Sequence, residues 1–192
     1  MMEKTVGFAL CGSFCTFEET LKALEQVAGE FQTVVPIMSE ISAGTDTRFG
    51  GAEDHLRRIQ GICGQPPITS VEGAEPIGPK GLLDLLIVAP CTGNTLGKLA
   101  HGITDSAVTM AVKAHLRNSR PVLLAVSTND GLGASGPNIM TLLQRKHIYV
   151  VPFRQDDPVK KPTSLKAELS LLVPAARAAL EERQIQPVLL GA

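Results

Sequence analysis

Residues 85–105 of this chain read LLIVAPCTGNTLGKLAHGITD, an apolar run that passes directly into small and polar residues. The run Leu85–Val88 is typical of a buried β-strand, and the Pro, Gly, Asn and Thr that follow it predict a turn into a helix. Backbone N–H groups at the start of such a helix lack intrahelical partners and are available to a ligand. We therefore predict a ligand site at the carboxyl end of this strand.

The composition indicates a single globular domain. Of the 192 residues, 44% are hydrophobic and 19% are charged, which is enough apolar material for one full core. The 18 basic and 19 acidic residues give a net charge of -1, and the chain has no Trp, one Tyr and six Phe. This composition argues against nucleic-acid binding, which needs basic surface and aromatic stacking.

The cysteines and the N-terminal residues further limit the classes of protein to which this chain is expected to belong. Cys11, Cys15, Cys63 and Cys91 include no Cys-x-x-Cys pair, so neither a zinc site nor a disulfide framework is expected. The N-terminal apolar stretch is too short to cross a bilayer and lacks the cleavage site of a signal peptide. We expect a cytoplasmic protein with no metal, no membrane partner and no nucleic-acid partner.

Apolar runs alternate with helical patterns along the chain, which is typical of βαβ units around a parallel sheet. The predicted strands are Thr5–Cys11, Thr33–Met38, Leu83–Ala89, Pro121–Val126 and His147–Val151. We predict one three-layer, doubly wound α/β domain over residues 1–192. Its ligand is expected at the carboxyl ends of the strands, near a topological switch point.

The helical spacing of apolar residues places helices between and after these strands. The predicted helices are one from about Phe17 that Gly29 ends, Glu53–Ile62, Ala107–Leu116, one around Ile139–Leu143, and Ser164–Glu182 with a kink at Pro174. Residues 65–80, rich in Pro and Gly, are expected to be irregular or to form a short strand pair. Residues 153–163 are expected to form a flap, and residues 164–192 the C-terminal helix and tail.

The first strand ends in Cys11-Gly12-Ser13, where Gly12 permits a sharp turn. The hydroxyls of Ser13 and Thr16 then lie at a helix N-terminus, a place that can hold a phosphate. The alternative is an ordinary helix cap, because Thr16 and Glu19 have the spacing of a capping box. The sequence leaves both interpretations open.

The second strand ends at Ser39. A dinucleotide fold would carry Gly-x-Gly-x-x-Gly after the first strand and an acidic residue at the end of the second, whereas the first loop here contains Gly12 alone. A Ser39 hydroxyl that faces Ser13 suits a terminal monophosphate better than a bridging pyrophosphate. The alternative is that Ser39 caps its own backbone.

The stretch APCTGNT at residues 89–95 resembles the Pro-Ala-Ser-Ala-Asn-Thr motif of the flavoprotein family of homo-oligomeric flavin-containing cysteine decarboxylases. Residues 121–129, PVLLAVSTN, lie where that family carries its Pro-x-Met-Asn-type motif. The resemblance covers residues 4–152. It implies a Rossmann-like flavoprotein fold, a bound flavin mononucleotide (FMN), and assembly into trimers or dodecamers with the flavin at a subunit boundary.

The same resemblance implies which residues contact the flavin. It assigns the phosphate to Gly12, Ser13 and Ser39, and the ribityl chain and ring edge to Pro90, Thr92, Asn94 and Thr95. Small residues let a flat ring approach the backbone, while amides and hydroxyls pair with its polar atoms. The alternatives are that Asn94 and Thr95 simply begin a helix and that Asp105 caps the helix starting near Ser106. Cys91 is interpreted as a small core filler.

The chain departs from the family pattern at two places that bear on chemistry. Residues 75–81 contain no His where the decarboxylases carry a catalytic one, which argues against cysteine decarboxylation. Ser127 and Thr128 replace the small residue and the Met that precede the shared Asn129. The pocket is therefore expected to take a more polar substrate, such as a dicarboxylate.

A narrower resemblance within the family extends over residues 7–16, 89–105, 127–133 and 153–165. It implies an FMN-dependent oxidoreductase subunit that aromatises a dihydro precursor to pyridine-2,6-dicarboxylate during sporulation, together with a nucleotide-binding subunit. In that reaction a ring C–H would leave as hydride to the flavin while a base takes the neighbouring proton. The alternatives are a non-catalytic FMN-binding partner subunit and an FMN-dependent decarboxylase relative.

Candidate residues for this reaction follow from residue type and position. Asn129 is expected to hold one substrate carboxylate and to act in catalysis, and His101 is the titrating group expected near the site. Arg154 and Lys160, with Lys161, are candidates for the second carboxylate, on a Pro-bounded loop that would act as the flap. The alternative is that these charges form a solvated surface and that His101 is structural.

Overall fold

Five parallel strands form the centre of the fold. In the computed structural model, which describes residues 1–191, they run in the order β2-β1-β3-β4-β5, with bounds β1 Met2–Leu10, β2 Phe31–Met38, β3 Leu85–Cys91, β4 Val122–Thr128 and β5 Ile148–Val150. All five predicted strands are confirmed. The largest difference is at β1, which begins at Met2 rather than Thr5. The chain moves to one side from β1 and to the other side from β3, so a switch point lies between these two strands.

An antiparallel hairpin extends the sheet beyond the parallel strands. It consists of β6 (Phe153–Asp157) and β7 (Lys161–Ala167). Strand β7 pairs with the end of β4, where Ser127 lies opposite Lys166, whereas β5 pairs with the first half of β4. The α/β class and the doubly wound arrangement are therefore confirmed, but the sheet is mixed and not purely parallel.

The hairpin bears on two expectations for the C-terminal part. Residues 153–163, which are predicted to form a flap, form a strand, a turn and the start of a second strand. The predicted helix Ser164–Glu182 is present only over Leu172–Leu180, because Ser164 lies within β7. Leu165, Leu169 and Leu172 have helical spacing in the sequence, yet Leu165 pairs with Thr128 of β4. Pairing with a distant strand has overridden the local pattern.

Helices cover both faces of the sheet. Their bounds are α1 Phe17–Glu30, α2 Glu40–Gly44, α3 Ala52–Cys63, α4 Val71–Ala74, α5 Gly93–His101, α6 Ala107–Leu116, α7 Gly136–Leu143 and α8 Leu172–Leu180, with 3-10 turns at Phe14–Thr16, Glu75–Ile77 and Leu169–Leu171. Parallel crossovers are right-handed, so the connections on the two sides of the switch point place α1 on one face and α5 and α6 on the other.

Three local expectations for the helices are corrected. Helix α1 continues through Gly29 and ends at Glu30, because Phe31 is buried and begins β2. Residues 65–80 contain α4 and a 3-10 turn, and Ile68 forms a single bridge with Ile37 of β2. Pro174 lies in the first turn of α8, where a missing N–H costs no helical hydrogen bond, so it does not kink the helix.

The core follows from this layered arrangement. Every residue of β3 is buried, as expected for a central parallel strand covered by helices on both faces. The uninterrupted apolar sequence of β3 reflects this two-sided burial. Within residues 1–191, no helix combines the length and the hydrophobicity that a membrane crossing requires.

His115 is a buried titratable group within this core. It lies near the end of α6, is fully buried, and pairs through Nε2 with the carbonyl oxygen of Pro121 at 3.0 Å. Its Nδ1 atom is buried without a hydrogen-bond partner among residues 1–191. Burial lowers the pKa of His115 to about 4, against a weaker opposing effect of the Pro121 hydrogen bond. The imidazole is therefore neutral in the folded protein at neutral pH, with Nε2 as the donor to the carbonyl.

We expect His115 to make the protein sensitive to mild acid. Its folded pKa lies below the ordinary unfolded value of about 6.5, so its contribution is complete above that pH and is lost as the pH falls toward 4. The free energy of unfolding should fall by up to about 3 kcal/mol over this range. Urea unfolding of the wild type and of His115→Gln at several pH values checks this. Parallel stability curves for the two proteins contradict the assignment.

Candidate functional site

Two cavities lie side by side at the carboxyl edge of the parallel strands. The β4-side cavity, of about 690 Å³, is bounded by the loops after β1, β3 and β4 and by strand β7. The β2-side cavity, of about 610 Å³, is bounded by the loops after β1, β2 and β3. Gly12, Thr92 and Asn94 line both cavities. The site therefore lies at the switch point between β1 and β3, as the sequence predicts.

The loop after β3 shapes the floor between the two cavities. Thr92 is the N-cap of α5, and its Oγ1 accepts a hydrogen bond from the backbone N–H of Thr95 at 3.3 Å. The Thr95 hydroxyl in turn donates to the Cys11 sulfur at 3.2 Å. Thr92 and Thr95 therefore hold the start of α5 in place, and Asn94 lines both cavities at the positive end of this helix.

A network around Asp130 joins the loop after β4 to the start of α5. The Thr128 hydroxyl donates to the Asp130 carboxylate, and Ser135 donates to the same oxygen at 2.7 Å. These hydrogen bonds lower the pKa of Asp130, so its carboxylate is ionised. A Cβ placed on Gly93 would lie 2.6 Å from Ser135 Oγ, 2.7 Å from Thr128 Oγ1 and 3.0 Å from Asp130 Oδ1. The network therefore requires glycine at the first position of α5.

Asp130 and Gly93 carry no specific role in the sequence interpretation. The available signal is an Asp-Gly pair four residues after a predicted strand and a glycine at a predicted helix start, which both indicate turns. Neither signal shows that the two residues meet, because they belong to different βα connections.

The loop after β1 reaches across β3 to the end of β4. The hydroxyls of Ser13 and Ser127 are hydrogen-bonded at 3.0 Å, although β3 separates their parent strands in the sheet. The predicted capping box at Thr16 is wrong: its hydroxyl donates to the Ser13 carbonyl at 2.8 Å and does not cap α1. Glu19 instead pairs with Lys166 of β7. Ser13 and Thr16 both line the β4-side cavity.

Ser39 lies in the neighbouring β2-side cavity. Its Oγ accepts a hydrogen bond from the Ser42 N–H at 3.2 Å, so the capping interpretation of Ser39 is confirmed. Ser13 lines the β4-side cavity and Ser39 lines the β2-side cavity, and Gly12 lies between them as a residue common to both.

Charged groups bound the far side of the β2-side cavity. Lys98 pairs with Asp105 at 2.9 Å, and this hydrogen-bonded contact lowers the pKa of the Asp105 carboxyl. The alternative that Asp105 caps α6 is wrong, because Ser106 is the N-cap. Glu40 accepts a hydrogen bond from the backbone N–H of Ala107 at 3.0 Å, which satisfies one donor at the start of α6.

The predicted substrate and catalytic residues separate in space. Asn129 lines the β4-side cavity. Arg154 lies outside both cavities and pairs with Glu168, and Lys160 is exposed at the hairpin turn, where its backbone N–H donates to Asp157 at 2.9 Å. His101 is exposed outside both cavities, with its Nδ1 2.9 Å from the Gly97 carbonyl oxygen.

Of the residues assigned to the flavin by resemblance, Pro90 lies outside these two cavities, buried at the end of β3. The others line one or both: Gly12, Ser13, Ser39, Thr92, Asn94 and Thr95. Cys11 and Cys91 are buried beneath the site, and burial raises the pKa of Cys11 to about 11 and that of Cys91 well above its ordinary value. These two thiols are therefore protonated at neutral pH, in agreement with the interpretation of Cys91 as a core filler.

Comparison with a model of a known family agrees with this geometry. The family described as Flavoprotein matches residues 2–151, which include β1 to β5. The chain belongs to the flavoprotein family. This membership supports a flavin as the class of cofactor and a flavin-related enzyme role.

Similarity to known proteins extends over nearly the whole chain. The B subunit of dipicolinate synthase from Bacillus subtilis (strain 168) is 44% identical over 187 residues, which cover 97% of this chain and 94% of that protein. The crystal structure of the same synthase subunit from Bacillus halodurans C has a TM-score of 0.90 and 44% identity, and the match covers 99% of each chain. The FMN-dependent cysteine decarboxylase SpaF has a TM-score of 0.67 and 21% identity over 93% of this chain and 97% of its own, which shows a shared fold.

We expect Gly93→Ala to destabilise the protein by about 1–3 kcal/mol, because the added Cβ overlaps the hydroxyls of Ser135 and Thr128. Gly97→Ala is the matched control in the same helix. A Cβ at Gly97 has its nearest neighbour 3.5 Å away, and alanine favours a helix over glycine by roughly 0.5–1 kcal/mol. Thermal unfolding of both variants checks this. Equal stabilities would show that the Asp130 network does not require glycine at position 93.

Proposed function

We propose that this chain binds FMN across the two cavities and, as one subunit of a two-subunit enzyme, forms pyridine-2,6-dicarboxylate from a dihydro precursor. The observation that carries the proposal is the 44% identity to the Bacillus subtilis dipicolinate synthase subunit over 97% of the chain. The polar cavities at the switch point are consistent with it, because their combined lining supplies the donors that a phosphorylated planar ligand needs.

The residues at the site fit a flavin nucleotide. The lining contains hydroxyl and amide side chains, and the N-terminus of α5, with its outward N–H groups, lies where the cavities join. The two volumes, about 690 and 610 Å³, fall in the range of about 300–1,000 Å³ that is usual for ligand pockets. In our proposal Gly12, Thr92 and Asn94 contact the cofactor along its length, because they line both cavities, and Ser13 and Ser39 supply hydroxyls on its two sides.

A bound flavin would supply an acceptor for the hydride that leaves the substrate ring. The chain's own residues prepare the pocket for that substrate. Asn129 presents an amide from the end of β4, and its backbone carbonyl is fixed by a 2.7 Å hydrogen bond from the Thr163 hydroxyl. In our proposal the Asn129 amide holds a substrate carboxylate against the site. The ionised Asp130 accepts hydrogen bonds from Thr128 and Ser135 and lies beside Gly93 in the first turn of α5.

We expect Asn94→Leu to weaken FMN binding at least tenfold, because the larger apolar side chain removes an amide from the region common to both cavities. Titration of the purified chain with FMN, followed by flavin fluorescence, measures the dissociation constant. Thr141→Leu is the control, since Thr141 is exposed on α7 and lies outside both cavities. A wild-type chain that does not bind FMN, or equal affinities for all three proteins, would contradict the proposed cofactor site.

We expect pyridine-2,6-dicarboxylate to form when this chain is combined with the second, nucleotide-binding subunit of the dipicolinate synthase type. Product is measured by mass spectrometry with each subunit alone, with both, and with both plus a nicotinamide cofactor. Asn94→Leu should reduce the rate at least tenfold because FMN is weakly held. Full activity of this variant without bound flavin would favour the alternative, in which this chain is a non-catalytic partner subunit. The name of the relative, one subunit of a synthase, is compatible with that alternative.

A further inference from the structure

The hairpin brings positive charge to the β4-side cavity. Among residues 1–191, the basic side chains that line this cavity are Lys161 and Lys166, and both belong to β7. The sequence favours Arg154, Lys160 and Lys161 for substrate binding, and of these three Lys161 lines the cavity, whereas Arg154 and Lys160 lie on the same hairpin outside it. The fold therefore brings one of the three candidates to the cavity and adds Lys166, which the sequence does not single out.

The position of these lysines is fixed by the way the hairpin docks on β4. Lys166 lies opposite Ser127 in the sheet, and Ser164 donates a hydrogen bond to the Thr128 carbonyl at 3.2 Å. The backbone N–H of Leu132 donates to the Thr163 carbonyl at 2.9 Å, which ties the loop after β4 to the same strand. A Cβ on Gly131 would lie 2.6 Å from Leu165, so this contact is also close. Strand β7 is thus a docked wall of the cavity.

Each lysine forms an ion pair with a protein carboxylate, which a ligand carboxylate can replace. Lys166 pairs with Glu19 of α1 at 2.5 Å, and Lys161 pairs with Asp156 of β6 at 2.7 Å. All four side chains are partly exposed, between 29% and 52%. Ion pairs of this kind contribute on the order of 0–1 kcal/mol, so exchange of the protein carboxylate for a ligand carboxylate costs little. The ammonium group on a flexible stem can turn toward either partner.

The rest of the β4-side cavity complements an anionic, planar ligand. Asn94, Asn129 and Asn138 line it with amide groups that donate hydrogen bonds. Two carboxylates line this cavity, those of Asp156 and Asp130. Asp130 already accepts hydrogen bonds from Thr128 and Ser135. The lysines are therefore the cationic groups of the lining that can bind an anion, and the amides and hydroxyls add hydrogen-bond donors.

We propose that Lys161 and Lys166 each bind one of the two carboxylates of the substrate, one of them together with the Asn129 amide, and so make the site selective for a dicarboxylate over a monocarboxylate. This inference rests on the proposed function, and it assigns the specificity of the same site to β7. The ligand chemistry that the lysines recognise is an oxyanion, and the substrate carboxylates, rather than the FMN phosphate, are the proposed source.

Calorimetric titration of the FMN-loaded chain with pyridine-2,6-dicarboxylate and with pyridine-2-carboxylate tests this proposal. The wild type should bind the dicarboxylate at least tenfold more tightly. Lys161→Met and Lys166→Met should each weaken dicarboxylate binding at least tenfold and change FMN affinity less than twofold. Lys146→Met is the matched control for charge removal. Lys146 is exposed between α7 and β5, at the amino ends of the parallel strands, whereas the cavity lies at their carboxyl ends.

The proposal is overturned by equal wild-type affinity for the two acids, by lysine variants that bind the dicarboxylate as the wild type does, or by FMN affinity that falls with either lysine. The last result would assign the lysines to the cofactor phosphate. A fall in dicarboxylate affinity in Lys146→Met equal to that in the β7 variants also overturns it, because general charge would then account for the effect. Absence of FMN binding by the wild type contradicts the proposed function instead, and that is measured in the separate flavin titration.

Discussion

The close approach of Gly93 to the Asp130 network is the contact on which the site depends. It joins the start of α5 to the loop after β4, with no space for even a methyl group between them. An ionised carboxylate is satisfied there by two hydroxyls and faces the positive end of a helix, which compensates the cost of partial burial. Because α5 is held in this way, Asn94 and the free N–H groups of its first turn face the cavities.

A second group of contacts connects the elements that border the site on the two sides of β3. The Ser13–Ser127 hydrogen bond links the loop after β1 to the end of β4. Strand β7 then adds to the far end of β4, beyond the point where β5 stops. On this side, β4 therefore pairs with β5 in the parallel core and with β7 in the wall of the cavity. The antiparallel pair adds the cavity wall without interrupting the parallel core.

Hydrogen bonds within the protein hold several polar residues of the two cavities in place. Thr92, Thr95 and Ser39 cap helices or bond to neighbouring side chains, and Asp130 is enclosed by hydroxyls. The amides of Asn94 and Asn129 line the β4-side cavity together with the two lysines of β7. The similarity to the dipicolinate synthase relatives, including 99% coverage of a solved structure, extends through this hairpin. The family match at residues 2–151 ends before it.

The sequence by itself determined the five parallel strands and the edge of the sheet where the two cavities lie. Runs such as Leu85–Val88 are apolar because both faces of the strand are covered, and that signal is local. Tertiary structure decided which strand ends meet. Ser13 contacts Ser127 across an intervening strand, and Gly93 meets Asp130 from another connection. It also placed Lys166 in the cavity, because β7 pairs with a distant strand. Sequence spacing records neighbours along one element, whereas these contacts depend on sheet order and register.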